Sequence, residues 1–153
     1  MESHFKSAKS SIFRFEGLQE YKVDQDDDIE ALDSWLNLVK EMVDKGIVWQ
    51  RVRYVEFPLT EYTKNELAFF KQTVLQGAEV RVCTEIIPEE LRCNDFWLID
   101  NEYILDMNYS KEGEFKGFKR SIIANQLLLK EWLLRNSLEL SKVLRLESFL
   151  EIK

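Results

Sequence analysis

Two groups of side chains have the residue types and spacing to do chemistry, and several expected groups are missing. His4 is the sole histidine, in a polar opening stretch with little to hold it. A Ser-His-Asp or Cys-His device, an HExxH zinc site and a two-histidine metal site are thereby excluded. Cys83 and Cys93 have neither CxxC spacing nor a nearby histidine, so neither a zinc site nor a disulfide framework is read from them. Gly17, Gly46, Gly77, Gly113 and Gly117 are all isolated, which leaves no loop to cradle a phosphate.

Carboxylates form the first group. Asp95, Asp100 and Asp106 flank two apolar runs, and a pair of them could do acid–base work or hold a metal. They also suit turns and strand ends kept in water, and no DxDxDG calcium loop is present. The second group is cationic. Arg51 and Arg53 share one face of a strand with Trp49, and two guanidinium groups can receive a phosphate or carboxylate. The competing reading pairs them with the chain's own acids, such as Glu56, Glu66 or the acidic segment. If a ligand pocket exists near the strand ends, its candidate lining is Trp49, Arg51, Arg53, Tyr62 and Asp100. No catalytic residue, metal ligand or cofactor is assigned.

The elements that must position these groups follow from periodicity. Ile29, Leu32, Leu36, Val39 and Val43 recur at helical spacing. Asp24 to Asp28 supply an acidic helix start, and Gly46 ends the helix. Ile47 to Phe57 is a strand rich in Val, Tyr and Trp, closed by Pro58. A helix from Thr60 to Gln76 follows, capped by Thr60, then a short strand from Glu79 to Cys83. Phe96–Ile99 and Tyr103–Met107 read as a hairpin about Asp100-Asn101-Glu102. A further strand passes through Phe115 and Phe118. From Ile122 to Leu150 a long helical segment is expected, with an interruption near Asn136-Ser137. The fold class is α+β (or α/β), with a mixed sheet of about five strands packed by helices. One domain is expected over 1–153, with 1–11 as a flexible tail that the aromatics after Ile12 anchor to the core.

Net charge is −7, but residues 16–44 alone carry ten acids against two bases. That stretch is either a solvated face or a patch that docks a basic partner through Asp26, Asp27 and Asp28. No basic footprint is present, so direct nucleic-acid binding is not expected. The opening residues lack the apolar core of a secretory signal. The greasiest stretch, Ile122 to Leu134, is too short and too charged to span a bilayer. Together with the cysteine usage, this points to a cytoplasmic protein. Leu127, Leu128, Leu129, Trp132, Leu133 and Leu134 exceed one helical stripe, so the C-terminal helix is buried on several sides or forms an interface such as a homodimer.

A string of segments runs from Trp49-Gln50-Arg51-Val52-Arg53-Tyr54-Val55 through Pro58-Leu59-Thr60-Glu61-Tyr62 and Val80-Arg81-Val82. It continues with Asp95-Phe96-Trp97-Leu98-Ile99-Asp100, Met107-Asn108-Tyr109 and Gly113-Glu114-Phe115. It resembles a bacterial domain-of-unknown-function family, common in actinomycetes and often encoded near helix-turn-helix regulators. The family carries no established activity. More distantly, the succession of elements is similar to one half of the phospholipase D superfamily, whose motif H-x-K-x-x-x-x-D supplies a nucleophilic His and a phosphate-holding Lys. With its Asp at Asp100, the motif has Cys93 in place of His and Asp95 in place of Lys. The resemblance therefore implies a phospholipase D-like half-sandwich that is catalytically dead, of the kind used for ligand sensing or dimerisation in regulators. A non-enzymatic regulatory or interaction domain is the expected function, with a protein partner such as a transcription regulator. An acidic inhibitor or nucleic-acid mimic that binds a basic protein is one alternative. A metal-dependent enzyme built on carboxylates is the other.

Overall fold

A computed structural model of the chain describes residues 1–22, 29–123 and 125–140. The chain runs α1 (Glu2–Lys6), β1 (Ser11–Glu16), α2 (Ile29–Asp44), β2 (Val48–Tyr54), α3 (Glu61–Leu75) and β3 (Glu79–Cys83). It continues through α4 (Glu89–Arg92), β4 (Phe96–Ile99), β5 (Tyr103–Tyr109), β6 (Phe115–Ile122), α5 (Gln126–Arg135) and β7 (Leu138–Glu139). The strands form one mixed sheet in the order β6-β5-β4-β1-β2-β3-β7. β1, β2 and β3 are mutually parallel, and the other pairings are antiparallel.

The parallel strands are apolar where alternation turns them inward, and each face has its own cover. On one face Ile12, Trp49, Trp97, Ile99 and Leu105 pack with Phe5 of α1 and with Leu38, Val39 and Met42 of α2. Leu67 and Phe70 of α3 continue this layer over Val80 and Val82. On the opposite face Phe13, Phe15, Val52, Phe96 and Leu98 pack with Leu133 of α5. Neighbouring residues on one strand thus serve two cores, as the two-residue period of a strand requires.

Local signals set the boundaries. The Thr60 hydroxyl accepts the Thr63 N–H at 3.0 Å, an N-cap for α3. Asp100 and Asn101 both have φ of 55°, at the centre of a tight turn between β4 and β5 that the Glu102 N–H closes on the Ile99 carbonyl at 2.9 Å. The α+β class and the mixed sheet agree with the sequence expectation, but the described sheet has seven strands rather than about five. β1 was expected only as an anchoring stretch, yet it is the sheet's central strand, paired to both β2 and β4.

Two further expectations are corrected. Residues 1–11 do not read as a tail, because α1 buries Phe5 to 2 % exposure and His4 hydrogen-bonds the Tyr103 hydroxyl at 3.0 Å. The C-terminal helix does not start at Ile122, which belongs to β6. α5 ends at Arg135 with Asn136 as its C-cap, where the interruption was expected, and Leu138 then pairs with Val82 of β3. The expected continuation to Leu150 lies outside the described residues beyond 140. Among the described residues no helix is long and apolar enough to cross a membrane.

Candidate functional site

In an open sheet with parallel strands, ligands gather beyond the carboxyl ends of those strands. Here that edge carries a row of charge. Arg14 and Glu16 of β1 lie in register with Arg51 and Arg53 of β2, and alternation turns all four toward α3. Arg51 Nη1 meets Glu16 Oε1 at 3.1 Å. Arg53 Nε donates to Glu66 Oε1 of α3 at 2.6 Å, and its Nη1 donates to the Tyr54 carbonyl at 2.9 Å. Arg14 Nη2 donates to Asp95 Oδ2 at 3.2 Å, just before β4.

The chain between β1 and the acidic stretch closes over this row. The Gly17 N–H donates to Asp95 Oδ1 at 2.9 Å, and the Tyr21 hydroxyl donates to Asp95 Oδ2. A Cβ on Gly17 would lie 1.7 Å from the Arg92 carbonyl oxygen, so only glycine lets the strand end pass α4 this closely. Arg53 sits 5.3 Å from the Tyr21 ring, and Arg51 sits 4.7 Å from the Phe70 ring. Arg53 is 0 % exposed and Asp95 1 %.

The electrostatics are those of charges taken out of water. Burial pushes the Asp95 carboxyl above its usual range, although Arg14 and the Tyr21 hydroxyl pull it back. Burial likewise raises Glu66, reinforced by Glu16, against the pull of Arg53. Burial also opposes the Glu16 charge, but Arg51, Arg14 and Arg53 more than offset it and hold that carboxyl below its usual value. Burial disfavours the Arg14 charge too, and Asp95 and Glu16 outweigh it. The Tyr62 hydroxyl is raised by burial and by Glu66, which accepts from it at 3.4 Å. Arg14 Nη1, Arg51 Nε and Arg53 Nη2 have no hydrogen-bond partner among the described residues. Pairing outweighs burial at Glu16 and Arg14, and burial outweighs pairing at Asp95 and Glu66.

The five candidate lining residues do not converge on one pocket. Arg51, Arg53 and Tyr62 meet in the charged row. Trp49 lies deeper along β2, packed between Phe5, Trp35 and Trp97 in the core. Asp100 is at the opposite end of β4 from Asp95, about 17 Å away at strand rise. There its carboxylate accepts the N–H groups of Lys9, Ser10 and Ser11 at 2.9, 2.7 and 3.1 Å, and the Ser10 hydroxyl at 3.1 Å. These bonds hold Asp100 below its usual value against the opposing effect of burial. Its role is to fix the start of β1. Asp26, Asp27 and Asp28 lie outside the described residues.

The opposite face of the sheet holds a different kind of site. Between α5 and the strands β4, β5 and β6 lies an open cleft of about 810 Å³. Phe96, Leu128, Leu129 and Trp132 form its apolar surfaces. Asn94, Asn108 and Asn125 line its polar rim together with Asp106 and Lys119, which are ladder partners on β5 and β6.

A family model described as a domain of unknown function (DUF6879) matches residues 1–132. The chain belongs to this family. No curated protein matches it. Among solved structures, the DUF6879 domain is similar to Nuc, a phospholipase D family member from Salmonella typhimurium. The TM-score is 0.55 at 15 % identity, covering 90 % of this chain and 86 % of that one. At that identity the likeness is one of fold.

On this fold the three positions singled out by the motif are dispersed in role. Cys93 is exposed at the end of α4, Asp95 is buried in the charged row, and Asp100 caps a loop. Sequence reasoning named Glu66 as a partner for the arginines and placed Asp95 among the carboxylates and at the lysine position of the motif. It missed Arg14, Glu16, Tyr21 and Tyr109, whose hydroxyl accepts from Arg14 Nη2 at 3.1 Å. The available signal was the alternation in Phe13-Arg14-Phe15-Glu16, where polar residues interrupt an apolar run at the period of a strand.

Proposed function

We propose that the DUF6879 domain is a non-enzymatic regulatory or interaction module on a phospholipase D-like fold, acting through a protein partner inside the cytoplasm. One observation carries this reading. At the carboxyl edge of the parallel strands, each of Arg14, Arg51 and Arg53 is committed to a carboxylate of the same chain, and the row is buried. A site for phosphodiester chemistry needs an accessible cation to meet the substrate's charge and a nucleophile beside it. This edge offers neat internal neutralisation instead. The free thiols of Cys83 and Cys93 suit a reducing compartment.

Hydrolysis of bis(4-nitrophenyl) phosphate tests the reading, with and without Mg²⁺ and Mn²⁺. Turnover is expected to stay at the buffer blank. Turnover above the blank that disappears in a folded Asp95→Asn variant would refute the proposal.

A further inference from the structure

We infer that the cleft between α5 and β4–β6 is a binding site for an uncharged, ring-bearing molecule rich in hydroxyl groups and with one apolar face, the chemistry shared by glycosides and nucleosides. The volume of about 810 Å³ falls in the range of small-molecule sites. Its composition selects the class.

The free charges of the cleft cancel. Lys119 and Arg135 are opposed by Asp106 and Glu131, while the third lining carboxylate, Asp95, is already held by Arg14 and the Tyr21 hydroxyl. An anion would gain from two groups and lose against the other two, and a cation likewise. This contrasts with the concentrated guanidinium groups expected where phosphate is held.

An entirely apolar occupant is disfavoured for another reason. It would take Asn108, Asn125 and Asp106 out of water without replacing their hydrogen bonds, a loss each polar group would feel. Asn108 and Asn125 are exposed at the rim, and the Asn125 side chain makes no capping bond to α5. A carboxamide presents donors and an acceptor together, which matches hydroxyl groups and the edges of heterocycles. The Asp106 carboxylate already accepts the Ser121 hydroxyl at 2.8 Å and keeps further acceptor capacity for a second hydroxyl.

The apolar wall supplies the other half of the recognition. Trp132 is half-buried, and Leu128 stands 68 % exposed beside it. An indole next to polar groups that converge on one space can cover a ring face while its edges are hydrogen-bonded. The inference goes beyond the regulatory reading and does not depend on it, because occupancy of this cleft can be measured whether or not the domain catalyses anything.

The test is a titration of the full chain, ¹⁵N-labelled, followed through the Trp132 indole N–H and the side-chain amides of Asn108 and Asn125. One arm uses methyl β-glucoside and cellobiose, and the other uses adenosine and cytidine. In one arm, dose-dependent shifts confined to the cleft are expected, with Kd of about 1 mM or tighter. The paired substitution Asn108→Ala with Asn125→Ala should weaken that binding about tenfold. These side chains are exposed, so the variant keeps its fold. Glucose 6-phosphate and adenosine monophosphate should bind no more tightly than their neutral parents. The inference is overturned by absent shifts in both arms up to about 10 mM, by tighter binding of the phosphorylated compounds, or by unchanged binding in the paired variant.

Discussion

The two faces of the sheet solve opposite problems with similar residues. The charged row gathers three arginines and three carboxylates, pairs them internally and seals them under Tyr21 and α3. The cleft on the other face also mixes cations, carboxylates and aromatic surface, but leaves them in contact with solvent. The difference lies in connectivity. In the row each carboxylate has a guanidinium or hydroxyl aimed at it, and in the cleft the polar groups face shared space. Charged residues on a familiar fold are therefore poor evidence of chemistry until their partners are known.

The sharpest way to break the comparison is to remove one carboxylate from each face. Asp95→Ala strands the Arg14 guanidinium, the Tyr21 hydroxyl and the Gly17 N–H in a buried setting. It should cost about 3–5 kcal/mol in urea unfolding. Asp106→Ala removes a half-buried acceptor of one hydroxyl and should cost about 1 kcal/mol. Equal costs would abolish the distinction between a sealed row and an open cleft.

Asp100 lies outside both regions and calibrates them. Asp100→Ala loses bonds from three backbone N–H groups and places alanine at φ 55°, for an expected cost of about 2–3 kcal/mol. Asp100→Asn keeps the turn preference and should cost less. The native carboxyl titrates below its ordinary value of 3.8, so the unfolded chain binds the proton more readily and this contribution rises with pH. It is fully present above pH 3.8 and is lost as pH falls through the depressed native value. The stability gap between wild type and Asp100→Asn should close over that acidic window. The smallest effect is expected at Leu128, where Leu128→Ser should change stability by no more than about 0.5 kcal/mol.

Much of the fold was legible because it rests on local signals. The Thr60 cap, the Asp100-Asn101 turn and the alternation of Glu79–Cys83 each specify their element without help from distant residues. β1 was obscured because its two buried faces make it a nearly continuous apolar run, Ile12 to Phe15, interrupted only by Arg14. The start of α5 was placed too early because Ile122 and Ile123 extend its apolar pattern backwards into β6, whereas its end at Asn136-Ser137 was legible. The site was harder to read. Arg51 and Arg53 were visible as a pair and Glu66, 13 residues from Arg53, was named as a partner, but Glu16, 35 residues from Arg51 on another strand, was not singled out. The cleft was invisible, since its walls are brought together only by packing α5 on the sheet.

The account rests on the charged row being part of the architecture, and a double-mutant cycle at Arg53 and Glu66 tests that claim most directly. Arg53→Met and Glu66→Met should each destabilise the domain by about 3–5 kcal/mol, because each leaves a buried charge unpaired. The double variant should lie closer to wild type than either single one. Residues kept for function at the expense of stability behave in the opposite way. Single variants as stable as wild type, or more stable, would contradict the account.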